Sequence, residues 1–245
     1  MDVAQKLSLA ESFSRYFKVS LAETVAQKQQ VFRIRYRVYC EEFKYESQEH
    51  FKDELEIDEY DQLSRHCLIT HIHTGLPAGC VRLVPALGAE SEAPLPLERY
   101  CSNSLDRNTL ASLQLDRNTV CEISRLAVDG AFRRRTGESL TRFGEINGLH
   151  FSAQEQRTFS TIAVACFFAA TVLTEIDRRT NVFAMMEPFL PRMMHRSGID
   201  FQRVGKDIDY HGIRAPYFIT TQSVLANMHA ELRELYAWIK QSIAE

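Results

Sequence analysis

No two of the six cysteines form a Cys-x-x-Cys pair, which removes the common zinc frameworks from consideration. Cys40, Cys67, Cys80, Cys101, Cys121 and Cys166 are scattered, three of them in apolar runs. They read as small buried residues of a reducing compartment. Long hydrophobic runs are also missing. The most apolar stretch, Thr161 to Leu173, is 13 residues, whereas a membrane span needs roughly 20; it reads as a buried helix. The N-terminus, "MDVAQKLSLAESFSRYF", lacks the apolar core of a signal peptide, so a cytoplasmic location is expected. No sign of charge dominates: the net charge is −3, which argues against a nucleic-acid protein. There is no internal repeat, no P-loop and no Gly-x-Ser-x-Gly elbow. His71 and His73 share a strand face without a third ligand, so no metal site is assigned.

What is present is an ordinary globular composition, 45% hydrophobic and 25% charged over 245 residues. One domain over 1–245 is expected, with residues 1–20 as an N-terminal extension and a C-terminal amphipathic helix over 222–245. A helix is expected over 23–43. A hairpin follows an acidic loop at 52–64: "HCLITHIH", a turn, then "CVRLVP". Residues 86–118 read as loop with one short helix, because Pro94 and Pro96 oppose regular structure. Strands are expected at 120–128, "NVFAMM", "FQRVG" and "APYFIT", and helices at 160–179 and "PFLPRMMHRSG". Strands and helices alternate, so the class is α/β or α+β with a central mixed sheet flanked by helices.

Within this pattern, charges stand where apolar residues are expected. "VCEISRLAV" (120–128) is a strand carrying Glu122, Ser124 and Arg125, and a buried charge is costly unless paired. On a regular strand Glu122 and Ser124 share one face and Arg125 takes the other; a β-bulge would unite them. Arg82 sits in a second apolar strand. Arg35 and Tyr39, four apart, share a helix face; the plainer alternative is an exposed Arg35 over Glu42 and a tyrosine packed on the core. Asp58 and Asp61 lie in an acidic run that is otherwise a solvated face. Arg35, Arg82 and Arg125 against Asp58, Asp61 and Glu122 make one three-against-three network, structural or functional. Arg133, Arg134 and Arg135 form a basic run after the strand, suited to a phosphate or to a solvated loop.

Taken in order, these positions resemble the acyl-homoserine-lactone synthases and the related N-acyl amino acid synthases, which share the acetyltransferase-like (GNAT) fold. "RYRVY" is similar to the family's Arg-x-x-x-Phe element, and Tyr45 stands where those synthases carry Trp. Asp58 and Asp61 match two family acids three apart, Arg82 the Gly-x-x-Arg-Leu strand, and Glu122 and Arg125 the Glu-x-Ser-Arg-x-Ala-Val strand. "EISRLAV", "FRRR", "MEPFLPRMMHRSGIDF" and "IDYHGIRAPYFI" resemble a narrower branch, the exosortase/PEP-CTERM-system-associated acyltransferases. The polyglycine pyrophosphate loop of coenzyme-A-using acetyltransferases is missing.

The resemblance implies an N-acyltransferase. It would move a long-chain fatty acyl group from an acyl carrier protein, or acyl-CoA, to the amine of an amino acid. The alternatives are a lactone-type autoinducer synthase using S-adenosylmethionine, which Tyr39 and Tyr45 put in doubt, and a non-catalytic binder of carrier protein or lipid. Glu122 is the expected base, with Arg35, Asp58, Asp61, Arg82 and Arg125 holding it and the acceptor in place. One of these arginines is expected to bind the acceptor carboxylate. Tyr39, Tyr45, Ser124 and Val128 are the expected substrate contacts, and Arg133, Arg134 and Arg135 the carrier-docking patch. Phe167, Phe168 and "FAMMEPFL" are expected to wall the acyl tunnel. No tightly bound cofactor is implied, and any membrane contact would be peripheral, through a lipid product.

Overall fold

The computed structural model describes residues 7–87, 93–133 and 151–244. In chain order the elements are α1 (Leu9–Ser14), β1 (Phe17–Leu21), α2 (Val25–Arg35), β2 (Arg65–His71), β3 (Pro77–Pro85), α3 (Pro96–Tyr100) and α4 (Arg107–Ser112). They continue with β4 (Val120–Val128), α5 (Ala153–Gln156), α6 (Thr161–Ile176), β5 (Asn181–Met186), α7 (Phe189–His195), β6 (Gln202–Arg203), β7 (Ile208–Asp209), β8 (Ile213–Thr220), α8 (Thr221–Asn227) and α9 (Ala230–Ala244). The strands make one sheet in the order β1-β2-β3-β4-β5-β8-β6, with β7 on β8.

Period-two burial assigns each strand residue to a face. Cys67 and Ile69 of β2, Val81 and Leu83 of β3 and Cys121 of β4 pack with Ile162, Ala165 and Phe168 of α6 in the main core. The alternate residues Leu68 and Cys80 meet Val31, Ile34 and Val38 on the other face. So α6 covers one side of the sheet and α2 the other, and Arg82, in phase with Cys80, points to the α2 side. The approach of α6 is close at Gly79: a Cβ there would lie 2.9 Å from Ile162 Cγ2.

The expected helix at 23–43 starts on a Thr24–Gln27 capping box and finishes as a seven-residue π-helical turn, Tyr36–Glu42, a form that often marks functional sites. Other expectations need correction. Residues 9–21 are no appendage: β1 is a sheet strand, and Phe13 and Phe17 are fully buried. Pro96 does not prevent regular structure but starts α3, at a position where its missing N–H costs nothing; α4 is a second helix in that region. The C-terminal helix is two helices, broken at Met228, whose backbone is extended (ψ 133°). Strand "FQRVG" pairs over only Gln202–Arg203. The helical region expected beyond Arg133, with Arg134 and Arg135, lies outside the described residues. No helix among the described residues is long and apolar enough to cross a membrane.

The decisive feature lies mid-sheet. β4 and β5 are parallel and pair only at Val120, Cys121 and Glu122 against Asn181, Val182 and Phe183. β4 then runs on alone along that edge to Val128. Alternate main-chain groups along it lose their strand partner, and a wedge opens between the two strands.

Candidate active site

β4 is in register with β3 at Ser124 against Arg82 and again at Ala127 against Cys80. Three steps on β4 therefore match two on β3, which is a β-bulge, and within it Arg125 takes a positive φ of 51°. A non-glycine residue in that region is strained by about 1–3 kcal/mol. The effect is a change of phase. Glu122 and Ser124 face the α2 side as regular alternation requires; after the bulge so does Ala127, and Val128 joins the α6 core. The bulge thus turns Arg125 onto the face of Ser124, as expected for the three charged positions.

The network that results is buried. Arg35 is fully inaccessible, which rules out the exposed-arginine alternative, and Glu42 pairs with Arg133 instead. Arg35 donates to both Asp61 oxygens at 2.6 and 3.0 Å and also to Glu56. Arg82 donates to Asp58 (2.6 Å), Asp61 (2.9 Å) and the Ser124 hydroxyl (3.1 Å). Arg125 bridges Glu56 (3.1 Å) and Asp58 (3.4 Å). Burial is the largest single influence and would push Asp61 and Glu56 up, but the arginines together outweigh it, Arg35 with Arg82 at Asp61 and Arg35 with Arg125 at Glu56, and hold both below the usual carboxylate range. His66 is also buried beside Asp61, at 3.6 Å. Desolvation, with Arg35 and Arg82 adding to it, pulls its pKa down to about 4, so its ring is neutral near pH 7.

Glu56 was not among the expected residues. It fills the place assigned to Glu122, as the third acid of the three-against-three set. In sequence it is one of several acids in "KDELEIDEYD"; only burial separates it from its solvated neighbours.

Glu122 stands apart. It is 3% exposed, and among the described residues it forms no ion pair. Its hydrogen-bond donor is the Leu97 N–H, at 2.8 Å. Burial pushes its pKa up to about 8, against the smaller opposing pull of that N–H, Arg82 and Arg125. A carboxyl tuned to that range suits proton transfer near neutral pH.

Glu122 borders a cavity of about 60 Å³ walled also by Tyr39, Tyr45, Ser124, Arg125 and Arg214. Tyr39, Tyr45, Ser124, Arg125 and Arg214 also border a second, much larger cavity of about 550 Å³. This one fills the wedge and is walled by Ala163, Val164 and Phe167 of α6, Met185 and Met186 of β5 and Leu190 of α7. Val128 and Phe167 line it as expected; Phe168 does not, and packs edge-on to Tyr236 in the core instead. The Tyr39 hydroxyl donates to Leu126 O at 2.9 Å, and its ring stacks on Tyr45. Arg133 lies at the wall of the large cavity over the Phe43 ring, bonded to Glu42 and to Val128 O. His71 and His73 acquire a third neighbour, Glu155, their ligand-capable atoms all within 4.8 Å of one another. There the His71–Glu155 hydrogen bond (2.5 Å) sits among Phe17, Phe132 and Phe151, at the β1–β2 edge of the sheet.

The sheet is thus parted at its parallel β4–β5 joint, where a small polar pocket shares its walls with a large apolar cavity. Residues 34–142 match the acetyltransferase (GNAT) domain family. Three solved structures share the fold. The AHL synthase LasI aligns over 86% of this chain and 94% of its own, at 18% identity and TM-score 0.58. The CoA-dependent acyl-homoserine lactone synthase BjaI, solved with MTA, covers 91% and 89% at 16% identity and TM-score 0.58. FeeM, an N-acyl amino acid synthase from uncultured soil microbes, covers 86% and 94% at 11% identity and TM-score 0.54. No protein of curated function matches the sequence. The family match over residues 34–142 and the shared architecture point to the same acetyltransferase-like (GNAT) fold.

Proposed function

We propose that this domain is an N-acyl amino acid synthase. It takes a long-chain acyl group from a carrier-protein or CoA thioester and delivers it to the amine of an amino acid. The observation that carries the reading is Glu122: a buried carboxyl without an ion pair among the described residues, where a small polar pocket shares its walls with a large apolar cavity. Arg35, Arg82, Asp58, Asp61 and Glu56 hold the strand and Arg125 in place around it.

In the proposed reaction the acyl chain lies in the wedge, with its thioester near the unpaired stretch of β4. Main-chain N–H groups there polarise the carbonyl. Ionised Glu122 takes a proton from the acceptor ammonium, and the freed amine attacks the carbonyl carbon. The C–N bond forms and the C–S bond breaks. Of the two protons that leave nitrogen, one returns through Glu122 to the departing sulfur and one goes to solvent. Tyr39, Tyr45, Ser124 and Val128 are the proposed substrate contacts.

The lactone-type reading is the weaker one. An aromatic box for a sulfonium needs a free ring face, yet Arg125 lies over Tyr39 and Arg214 over Tyr45. For the donor we favour a carrier protein, whose acidic surface would meet Arg133, Arg134 and Arg135. The motif resemblance supports an exosortase/PEP-CTERM setting, with a cytoplasmic enzyme touching membrane only through its product.

The test supplies purified protein with long-chain acyl carrier protein or acyl-CoA and a pool of amino acids, read by mass spectrometry. An N-acyl amino acid formed by the wild type is the expected result, with turnover reduced about 10²–10⁴-fold in Glu122→Gln. Product only when S-adenosylmethionine is added overturns the reading.

A further inference from the structure

Three arginines line the two cavities: Arg125, Arg133 and Arg214. The first two are committed. Arg125 is held by Glu56 and Asp58, and Arg133 by Glu42. Arg35 and Arg82, deeper in the network, spend their donors on Glu56, Asp58 and Asp61. None of these has a fork to offer an incoming anion, against the expectation that one of them would bind the acceptor carboxylate. Arg214 differs. It comes from β8, across the wedge from β4, and lines both cavities. Its guanidinium lies over the Tyr45 ring, 5.5 Å from the centroid. No carboxylate among the described residues pairs with it, and its Nε is buried without any hydrogen-bond partner.

A buried guanidinium donor left without an acceptor is costly, and planar bidentate recognition of a carboxylate is what this side chain does best. The small cavity has room for about four to six waters, the scale of an amino-acid head group and far too little for an acyl chain. Glu122 sits on its wall as the acceptor of one proton, and Arg214 supplies the complementary positive site. The one other acid on that wall, Glu46, lies 3.5 Å from His211 and 3.9 Å from Arg125.

Resting on the synthase reading above, we infer that Arg214 binds the α-carboxylate of the acceptor amino acid, and so presents its amine to Glu122. Arg214 is then the residue that separates amino acids from plain amines.

The experiment compares kcat/KM for the best amino acid acceptor with that for the same amine lacking its carboxylate. It uses wild type, Arg214→Gln and Arg214→Lys, with one acyl donor throughout. The ratio is internal to each protein, so partial loss of fold cancels from it. Wild type is expected to favour the amino acid, and the preference to fall about a hundredfold in Arg214→Gln, mainly through KM. Arg214→Lys keeps the charge but not the fork and is expected to retain part of it. A wild type that acylates amino acids with a ratio unmoved by Arg214→Gln overturns this assignment and leaves the synthase reading standing. A wild type that acylates no amino acid overturns both.

Discussion

Glu122 and Glu56 show how neighbours divide the work of two buried carboxyls. Glu56 lies between Arg35 and Arg125 and stays ionised; Glu122, whose donor among the described residues is the Leu97 N–H, holds its proton up to about pH 8. In the proposed role of base, Glu122 would act only when ionised, so kcat/KM is expected to rise with pH and level off above about 8. That inflection should vanish from whatever activity Glu122→Gln retains. Stability runs the other way. A folded-state pKa above the unfolded one near 4.5 gives a contribution that is complete below 4.5 and lost as pH rises through about 8. Denaturant unfolding at pH 6 and pH 9 is therefore expected to show a smaller alkaline loss in Glu122→Gln than in wild type. Glu56→Gln has the opposite character. It takes one carboxylate partner from each of two buried guanidinium groups, Arg35 and Arg125, and is expected to cost roughly 3–5 kcal/mol, read in the same unfolding experiment.

At the scale of elements, the bulge in β4 and the wedge beside β5 matter most. The presence of charges within "VCEISRLAV" already signalled the first, because regular alternation leaves Arg125 in the apolar core and a bulge does not. The wedge was not legible. It depends on β4 and β5 being parallel neighbours that part after three pairs, and strand order is a property of pairing across the chain, not of any local run. The apolar walls from α6 and from "FAMMEPFL" were readable as apolar, but the same signal serves core and cavity alike, which is why Phe167 lines the cavity and Phe168 does not. Arg214, placed in a late strand by its fold partners, carried no pattern that set it apart; only the absence of a partner does. The cavity predicts substrate length: Ala170, buried on α6 and facing the wedge, becomes a plug in Ala170→Phe. The variant is expected to shift preference toward shorter acyl donors, measured as relative turnover across a chain-length series.

For the whole molecule, acid is the weak side. Asp61 and Glu56 hold pKa values below those of unfolded carboxylates, so their stabilisation is present above about pH 4.5 and lost as pH falls. His66 adds to the loss from pH 6.5 down to about 4, since the folded ring resists the proton that the unfolded chain accepts. Thermal melts from pH 7 to pH 4 are expected to show a steep fall in Tm, eased in His66→Phe over that window.

Only three residue pairs stitch the antiparallel sheet of β1–β4 to the strands beyond it, while α6 packs on β2, β3 and β4 and also reaches α8 and α9. The molecule is therefore a pair of jaws with a short seam, and α6 is the clasp. On the proposed reading, the girth of chain it would admit follows from how far the jaws open as much as from the side chains between them. An occupant that fills the gap also closes it. Deuterium uptake along Ile123–Val128 and Ala184–Met186 should then slow when an acyl thioester is bound, even at amides that never touch it.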